Sequence, residues 1–505
     1  MSAYRLRIAI DPYLAEAHGP EIHWTWRLLL TGIGWAWEEV PVGSPCDVAF
    51  VRDPDEAPQA SLCIRANPAA WARPAAYRLS CLRSDDSLSH PLFEGEIAAP
   101  DLIRAGEGHW VCQRDLIFDV FWLVTGQEER YWPRDKHGFL DLTGTAVLRD
   151  GVLRLAPASQ IGIWLEKVLR DLGCPPPVPR WPPGKRAAAV VGHDVDYPEV
   201  KRWLEPLRVV RRNGWRGAGP ALAVLAGRRT HWQFPAWTDM EKRWGIRSAF
   251  YFVPRRGSLL EFATGTPDPF YDITSPRFRE LFRSLAQEGF EIGLHASYLA
   301  YHSREKFAAE KRLLEEASGQ PVVGNRHHYW HLNPDDVEET LLIHEQIGLK
   351  YDASLIHDRY LGWRRGLSCP FFPFHQAERR ELKTLQIPTA WMDDQLFRLR
   401  RYNPGDRLEL LRHLADRTAE QGGCLLIDIH EYVFDEALFP GWAATYRSLW
   451  EYLLSRGDFW FATPAQVAEH WAGRYTALVR ASDGLNQGRA EQVSPEQPLS
   501  ISAMT

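Results

Sequence analysis

Five apolar, strand-like runs of this chain end in side chains that can bind a metal or move a proton. AAAVVGHDV runs into His193, Asp194 and Asp196, FEIGLHA contains His295, and VVGNRHH ends at His327 and His328. LQIPTAW runs into Asp393 and Asp394, and CLLIDIH ends at His430. Reactive groups of α/β barrels sit at the C-terminal ends of strands, so the five ends point to one shared site. Asp194 and Asp196 can divide two roles there: one carboxylate binds a divalent cation, the other takes a proton from a water. A metal lowers the pKa of a water it holds from about 15.7 toward ~7, so a carboxylate suffices as base. One carboxylate with two imidazoles is a common ligand set that leaves a position open. His430, from the opposite wall, is placed to donate a proton to a leaving nitrogen or oxygen. Arg364, in GWRRG, has the fixed bidentate geometry to hold the base carboxylate.

The elements that must position these groups lie between about Lys185 and Ala472. Seven strand candidates are AAAVVGHDV, RSAFYFVP, FEIGLHA, VVGNRHH, LQIPTAW, CLLIDIH and FWFAT. They alternate with helical stretches such as REKFAAEKRLLEEASG and DRLELLRHLADRTAEQGG, whose apolar residues recur at three and four and which end at Gly. The repeat predicts an α/β fold, a distorted (β/α) barrel of about seven strands, over residues 181–475. A basic, largely helical insertion over about 199–243 interrupts the rhythm after the first strand. Before the barrel, residues 1–180 predict a smaller α+β domain with short strands and one amphipathic helix around Asp115 to Trp122. The proline-dense GCPPPVPRWPPGK, Gly173 to Lys185, reads as a stiff boundary. Residues 476–505 read as a disordered tail.

The composition bounds the function. A net charge of −6 over 505 residues excludes a general nucleic-acid binder. No secretory leader and no run of about 20 apolar residues is present, so a cytoplasmic protein without a membrane span is expected. Seven scattered cysteines, without a CxxC pair, read as reduced thiols.

In order along the chain, HDVDY, EIGLHASY, GNRHHY, YDASL, GWRRGLSCPF, IPTAWMDD and LLIDIHEYVFD resemble the motifs of polysaccharide deacetylases, the NodB-homology enzymes of carbohydrate esterase family 4. The resemblance is to a branch with an extra N-terminal domain, which DLIFDVFWLVTGQEERYWPRDKHGFLD resembles more weakly. It implies a metal-dependent barrel, with zinc or a similar divalent ion, that removes acetyl groups from amino sugars or glycans. It matches Asp194 to the base, Asp196 and His295 to metal ligands, Arg364 to the arginine that orients the base, and His430 to the acid. Where the common motif has a second histidine, four residues after the first, this chain has Leu299. The branch carries a histidine where His328 stands, so Asp196, His295 and His328 form the expected metal set. His327 and His328 are adjacent and point to opposite faces of a strand, so only one looks into the barrel.

Asp393, Trp363, Tyr329 and Trp391 are the expected substrate contacts. Core packing is the other reading of the tryptophans, and a role behind the site is the other reading of Asp393. Asp428 is two residues from His430, on the same strand face, in place to orient its imidazole. The arginines of the insertion are either a solvated helix face or a contact for an anionic glycan or lipid phosphate. Leu299 motivates a rival reading, a catalytically silent barrel that binds glycan. A glycoside hydrolase would need two carboxylates about 5 to 9 Å apart and would leave the histidines without a role.

Overall fold

The computed structural model describes residues 4–84, 88–96, 102–106, 108–135, 138–202, 204–263, 265–397 and 402–483. Its N-terminal sheet is built from β1 (Arg5–Ile10), β2 (Ala36–Val40), β3 (Cys46–Val51), β4 (Ala60–Arg65), β5 (Leu102–Gly106) and β6 (His109–Cys112). The strand order is β2-β1-β3-β4-β6-β5, parallel except for the β5–β6 pair at one edge. β1 runs directly into a helix over Pro12–Ile33: Asp11 caps it by accepting from the Tyr13 and Leu14 amides, and Pro12 takes a position that needs no amide donor. The segment expected to be an amphipathic helix is a helix, Leu116–Val124, but all nine residues are buried. It is a core helix, apolar on every side, so its sequence carries no helical stripe.

The second sheet consists of β7 (Ala187–Val195), β8 (Ala249–Phe252), β9 (Glu291–Leu294), β10 (Gly324–Asn325), β11 (Tyr351–Asp352), β12 (Leu385–Gln386), β13 (Thr389–Met392), β14 (Cys424–Asp428) and β15 (Phe459–Phe461). Eight of these follow the order β12-β11-β10-β9-β8-β7-β14-β13, and β15 pairs with β7. All pairs in this sheet are parallel. The two edges, β12 and β13, are consecutive in sequence and separated by Ile387 and Pro388 alone. The sheet must therefore curl until its edges meet, the geometry of a distorted barrel. Pro388 lacks an amide donor and falls at the break, so LQIPTAW, expected as one strand, becomes two. Tyr351–Asp352, only two residues long, is the strand whose periodicity was too short to read. β7 is central and buried at all nine positions, as a parallel strand covered on both faces must be.

Between β7 and β8 the basic insertion forms helices over Glu205–Asn213, Ala218–Leu225 and Phe234–Arg243. The helices over Arg304–Ser318 and Pro404–Gln421 end at Gly319 and Gly422, both at positive φ. The last helix, Pro464–Ser482, runs seven residues into the segment expected as tail, and 484–505 lie outside the described residues.

The proline-dense stretch is neither helix nor strand, but it is packed. Trp181 is buried and donates to the Gly422 carbonyl at 2.7 Å. One continuous apolar core joins Leu6, Trp26 and Phe118 to Leu355, Leu367 and Phe374. Trp24 donates to the Phe372 carbonyl at 3.1 Å, so the N-terminal sheet and the barrel share an interior.

Candidate metal centre and active site

The expected residues converge beyond the C-terminal ends of β7, β9, β10 and β14. Asp194, Asp196, His295, His328, Tyr329 and His430 line one cavity of about 220 Å³. Tyr197, Trp330, Met392 and Asp394 complete much of its wall.

Asp196 Oδ1 stands 3.4 Å from His295 Nε2 and 3.5 Å from His328 Nε2. Ligand atoms about 2.1 Å from a tetrahedral metal are separated by about 3.4 Å, so this spacing is that of ligands around a common centre. Asp196 Oδ1 and His328 Nε2 are buried and, among the described residues, have no hydrogen-bond partner. Such atoms are costly to bury unless something binds them. The other ring nitrogens are fixed: His328 Nδ1 donates to Asp268 Oδ1 at 3.1 Å, and His295 Nδ1 to the Arg326 carbonyl at 2.6 Å. A ligating imidazole is held in this way, its free nitrogen aimed at the metal. Two further groups of acids and histidines are close enough to hold an ion among the described residues, Asp194–Asp428–His430 and Asp393–Asp394–His430. In the first a guanidinium already joins the two carboxylates, and in the second Asp393 bonds His430 directly. The residues at Asp196 fit a divalent cation best.

Leu299 lies beyond β9, half-buried, ahead of a short turn over Ala300–His302, and it is His328 that stands with Asp196 and His295 in a group close enough to hold an ion. The chain leaves His328 through an uncommon turn. Tyr329 and Trp330 both have positive φ, 58° and 55°, which for aromatic residues is strained. His327 faces away and meets His344, Nε2 to Nε2, at 2.9 Å.

Asp194 is held by Arg326, not by Arg364. Arg326 Nη1 donates to Asp194 Oδ1 at 2.9 Å and to Asp428 Oδ1 at 3.1 Å. The Arg326 side chain is fully buried, stacked over Tyr251 with 4.5 Å to the ring centroid. Gly192 makes room for it: a Cβ there would stand 2.6 Å from the guanidinium. Arg364 instead reaches Glu129 at 2.8 Å, because the loop that carries it packs on the N-terminal part of the chain. Asp428 therefore serves Arg326, and the expected partnership between Asp428 and His430 does not form.

Asp393 holds His430. Its Oδ1 accepts from His430 Nδ1 at 2.8 Å and its Oδ2 from the His430 amide at 2.9 Å. Asp393 is fully buried behind the imidazole, which corrects its expected place as a substrate contact; Asp394 is the one that lines the cavity. Trp363 and Trp391, also expected at the substrate, are fully buried in the core and offer no face to a sugar. Tyr329 does line the cavity and is 37% exposed.

The charges are strongly coupled. Burial alone would raise Asp196, but the charge of His328 and the imidazole contacts outweigh it and hold the carboxyl well below its ordinary range. Burial lowers His328, and the Asp196 carboxylate overrides this and pushes it up to about 9. Burial lowers His430, but the charges of Asp393 and Tyr432 and the contacts to Asp196 and Asp393 together raise it well above its ordinary value.

Three contributors were not singled out in the sequence. Arg326 is inside GNRHHY but its role depends on β7 across the barrel. Asp268 lies in a loop between β8 and β9. Phe139 comes from the N-terminal part and forms part of the cavity wall.

No protein-family model matches the chain, and no curated protein matches it. Among solved structures it is similar to a protein from Mycobacterium smegmatis described as a polysaccharide deacetylase, at 20% identity over 58% of this chain and 93% of that one, TM-score 0.39. It is similar to another so described, from Pseudomonas aeruginosa PAO1, at 20% identity over 60% and 96%, TM-score 0.40. The values for Puue allantoinase are 19% identity, 60% and 95%, and 0.39. The chain thus resembles the polysaccharide deacetylases in its ordered motifs, and proteins so described are among the solved structures it is similar to.

Proposed function

We propose that this protein is a metal-dependent hydrolase that removes an acetyl group from an amino sugar or glycan. The observation that carries the proposal is the pair of buried atoms without partners, Asp196 Oδ1 and His328 Nε2, spaced as metal ligands with His295 beside them. A divalent ion held there, for which we expect zinc, would acidify a water and polarise an acyl carbonyl. Asp194 takes the proton from the attacking water, and Arg326 fixes the carboxylate that receives it. His430 stands across the site, Nε2 3.4 Å from Asp196 Oδ2, and gives a proton to the departing amine or hydroxyl. Asp393 keeps the ring of His430 in the tautomer that can do so. Tyr329 offers its exposed ring to a sugar face.

In this reading residues 1–180 form a domain that supplies one wall of the cavity, 181–475 form the catalytic barrel, and 476–505 play no part in the chemistry. The protein works in the cytoplasm, on sugars or glycan intermediates made there. The silent-barrel reading rests on Leu299; the position of His328, 3.5 Å from Asp196, supports the active reading instead.

The test is the metal content of untagged protein purified without chelator. One zinc per chain, lost in Asp196→Ala and His328→Ala, with release of acetate from acetylated amino sugars, is the expected result. Full metal occupancy in His328→Ala would refute the ligand set. Asp194→Asn should keep the metal and lose activity.

A further inference from the structure

The helical insertion that leaves the mouth of the site has a surface no part of the proposed chemistry uses. Helices Glu205–Asn213 and Ala218–Leu225 form a tight hairpin: a Cβ on Gly217 would stand 2.7 Å from the Val209 carbonyl oxygen. The face toward the barrel is Glu205, Pro206, Val209, Ala221 and Val224, all buried. The opposite face carries Leu207, Val210, Trp215, Leu222 and Leu225, all exposed, with Leu207 at 69% and Trp215 at 83%. Scattered exposed leucines are ordinary, but five large apolar side chains on one small hairpin are a patch.

The exposed charge on this hairpin is of one sign, because its one carboxylate, Glu205, is buried and ion-paired to Arg208 and Arg212. Between Pro206 and Thr230 there are six arginines and no carboxylate, in a chain whose net charge is −6. Arg208, Arg211, Arg216 and Arg228 are exposed, and the Arg216 guanidinium lies 5.6 Å from the Trp215 ring centroid. A further exposed aromatic side chain stands outside the hairpin. The exposed Phe262 packs on Phe270 at 6.0 Å, and Lys201 covers the Phe270 ring at 3.7 Å. The hairpin leaves β7 at the end that carries Asp194 and Asp196. Its return is tied to the site wall, where His231 Nδ1 bonds the Tyr197 carbonyl at 3.0 Å.

From this we infer that the Leu207–Leu225 hairpin docks the protein on an anionic lipid bilayer, with the arginines at the phosphate headgroups and the apolar side chains below them. Aliphatic side chains with an exposed tryptophan amid arginines match the interfacial zone of a bilayer. Nucleic acid would neutralise the arginines but give Leu207, Leu222 and Leu225 nothing to enter. A second copy of this chain would bring like charge against like charge. No described helix is long and apolar enough to cross a membrane, so docking is to the surface.

The experiment is co-sedimentation of the full chain with vesicles of phosphatidylcholine, with and without phosphatidylglycerol. Sedimentation with the anionic vesicles alone, weakened by salt, is expected. Arg211→Gln/Arg216→Gln/Arg228→Gln should weaken binding about a hundredfold, near a factor of five per arginine. Trp215→Ser/Leu222→Ser should weaken it at unchanged charge. Both variants alter exposed positions only, and circular dichroism checks that they fold. Failure of the wild type to bind anionic vesicles overturns the inference, as does undiminished binding by the arginine variant. A dimer in solution that Trp215→Ser breaks would assign the face to a second copy and equally overturn it.

Discussion

Arg326 and Asp194, 132 residues apart in sequence, meet inside the barrel through a 2.9 Å hydrogen bond from Nη1 to Oδ1. Arg326 is the positive charge at the proposed base, and it also bonds Asp428. Arg326→Gln should therefore lower kcat by about 10²-fold or more, the scale of a lost general base. It should also cost about 3–5 kcal/mol of stability, because buried carboxylates are left uncompensated. Arg364→Gln should leave kcat nearly unchanged. Steady-state kinetics with thermal melts of both variants separate the two arginines; equal losses of kcat would reject the assignment.

Asp268 should be felt through the metal. It fixes the ring of His328 at Nδ1, and such outer partners are typically worth about 10- to 100-fold in metal affinity. Asp268→Ala should weaken zinc binding by that factor in a competition titration against a chromogenic chelator. An unchanged affinity would mean that His328 is not a ligand.

Glu129 should make stability depend on acid. Burial raises its carboxyl, but Arg364 and Arg365 outweigh burial and lower it to about 2 from an ordinary 4.5. A group depressed by folding stabilises above its unfolded pKa, and this contribution is lost as pH falls from 4.5 toward 2. The amount is about 3–4 kcal/mol at roughly 1.4 kcal/mol per pH unit. Denaturant melts across that window should show the loss, and Glu129→Gln should remove that part of the slope while destabilising the protein at neutral pH. An identical pH slope in Glu129→Gln would reject the ion pair as its source.

The aromatic residues should divide by position. Tyr329→Ala and Phe139→Ala, at the cavity, should raise KM several-fold with little loss of stability. Trp391→Ala, fully buried, should cost about 3–5 kcal/mol, the range for large core truncations. If Trp391→Ala raised KM in a protein of unchanged stability, the core assignment would be wrong.

Much of the site was legible along the chain because strand ends converge in a barrel. Asp194, Asp196, His295 and His430 each follow an apolar run, and a parallel sheet that curls brings such ends together whatever the loops between them do. That only one of His327 and His328 looks into the barrel was also readable, since neighbours on an extended chain face opposite ways; the choice of His328 came from the family resemblance. The helices announced themselves by periodicity and by terminal glycines, at Gly319 and Gly422 among others.

What the tertiary structure alone decided were the pairings and the depths. Arg326 and Arg364 are the same residue type, each beside a motif, and no local pattern tells which guanidinium reaches Asp194. That depends on β10 standing across from β7 and on the Arg364 loop being drawn to Glu129. Asp393 and Asp394 are adjacent, and only the bend after β13 turns one behind His430 and the other into the cavity. Trp363 and Trp391 looked the same as surface platforms would, because a tryptophan's burial is set by what packs over it. Asp268 and Phe139 were silent in sequence for the same reason: each acts across a long chain separation, and contacts of that kind exist only once the barrel has closed.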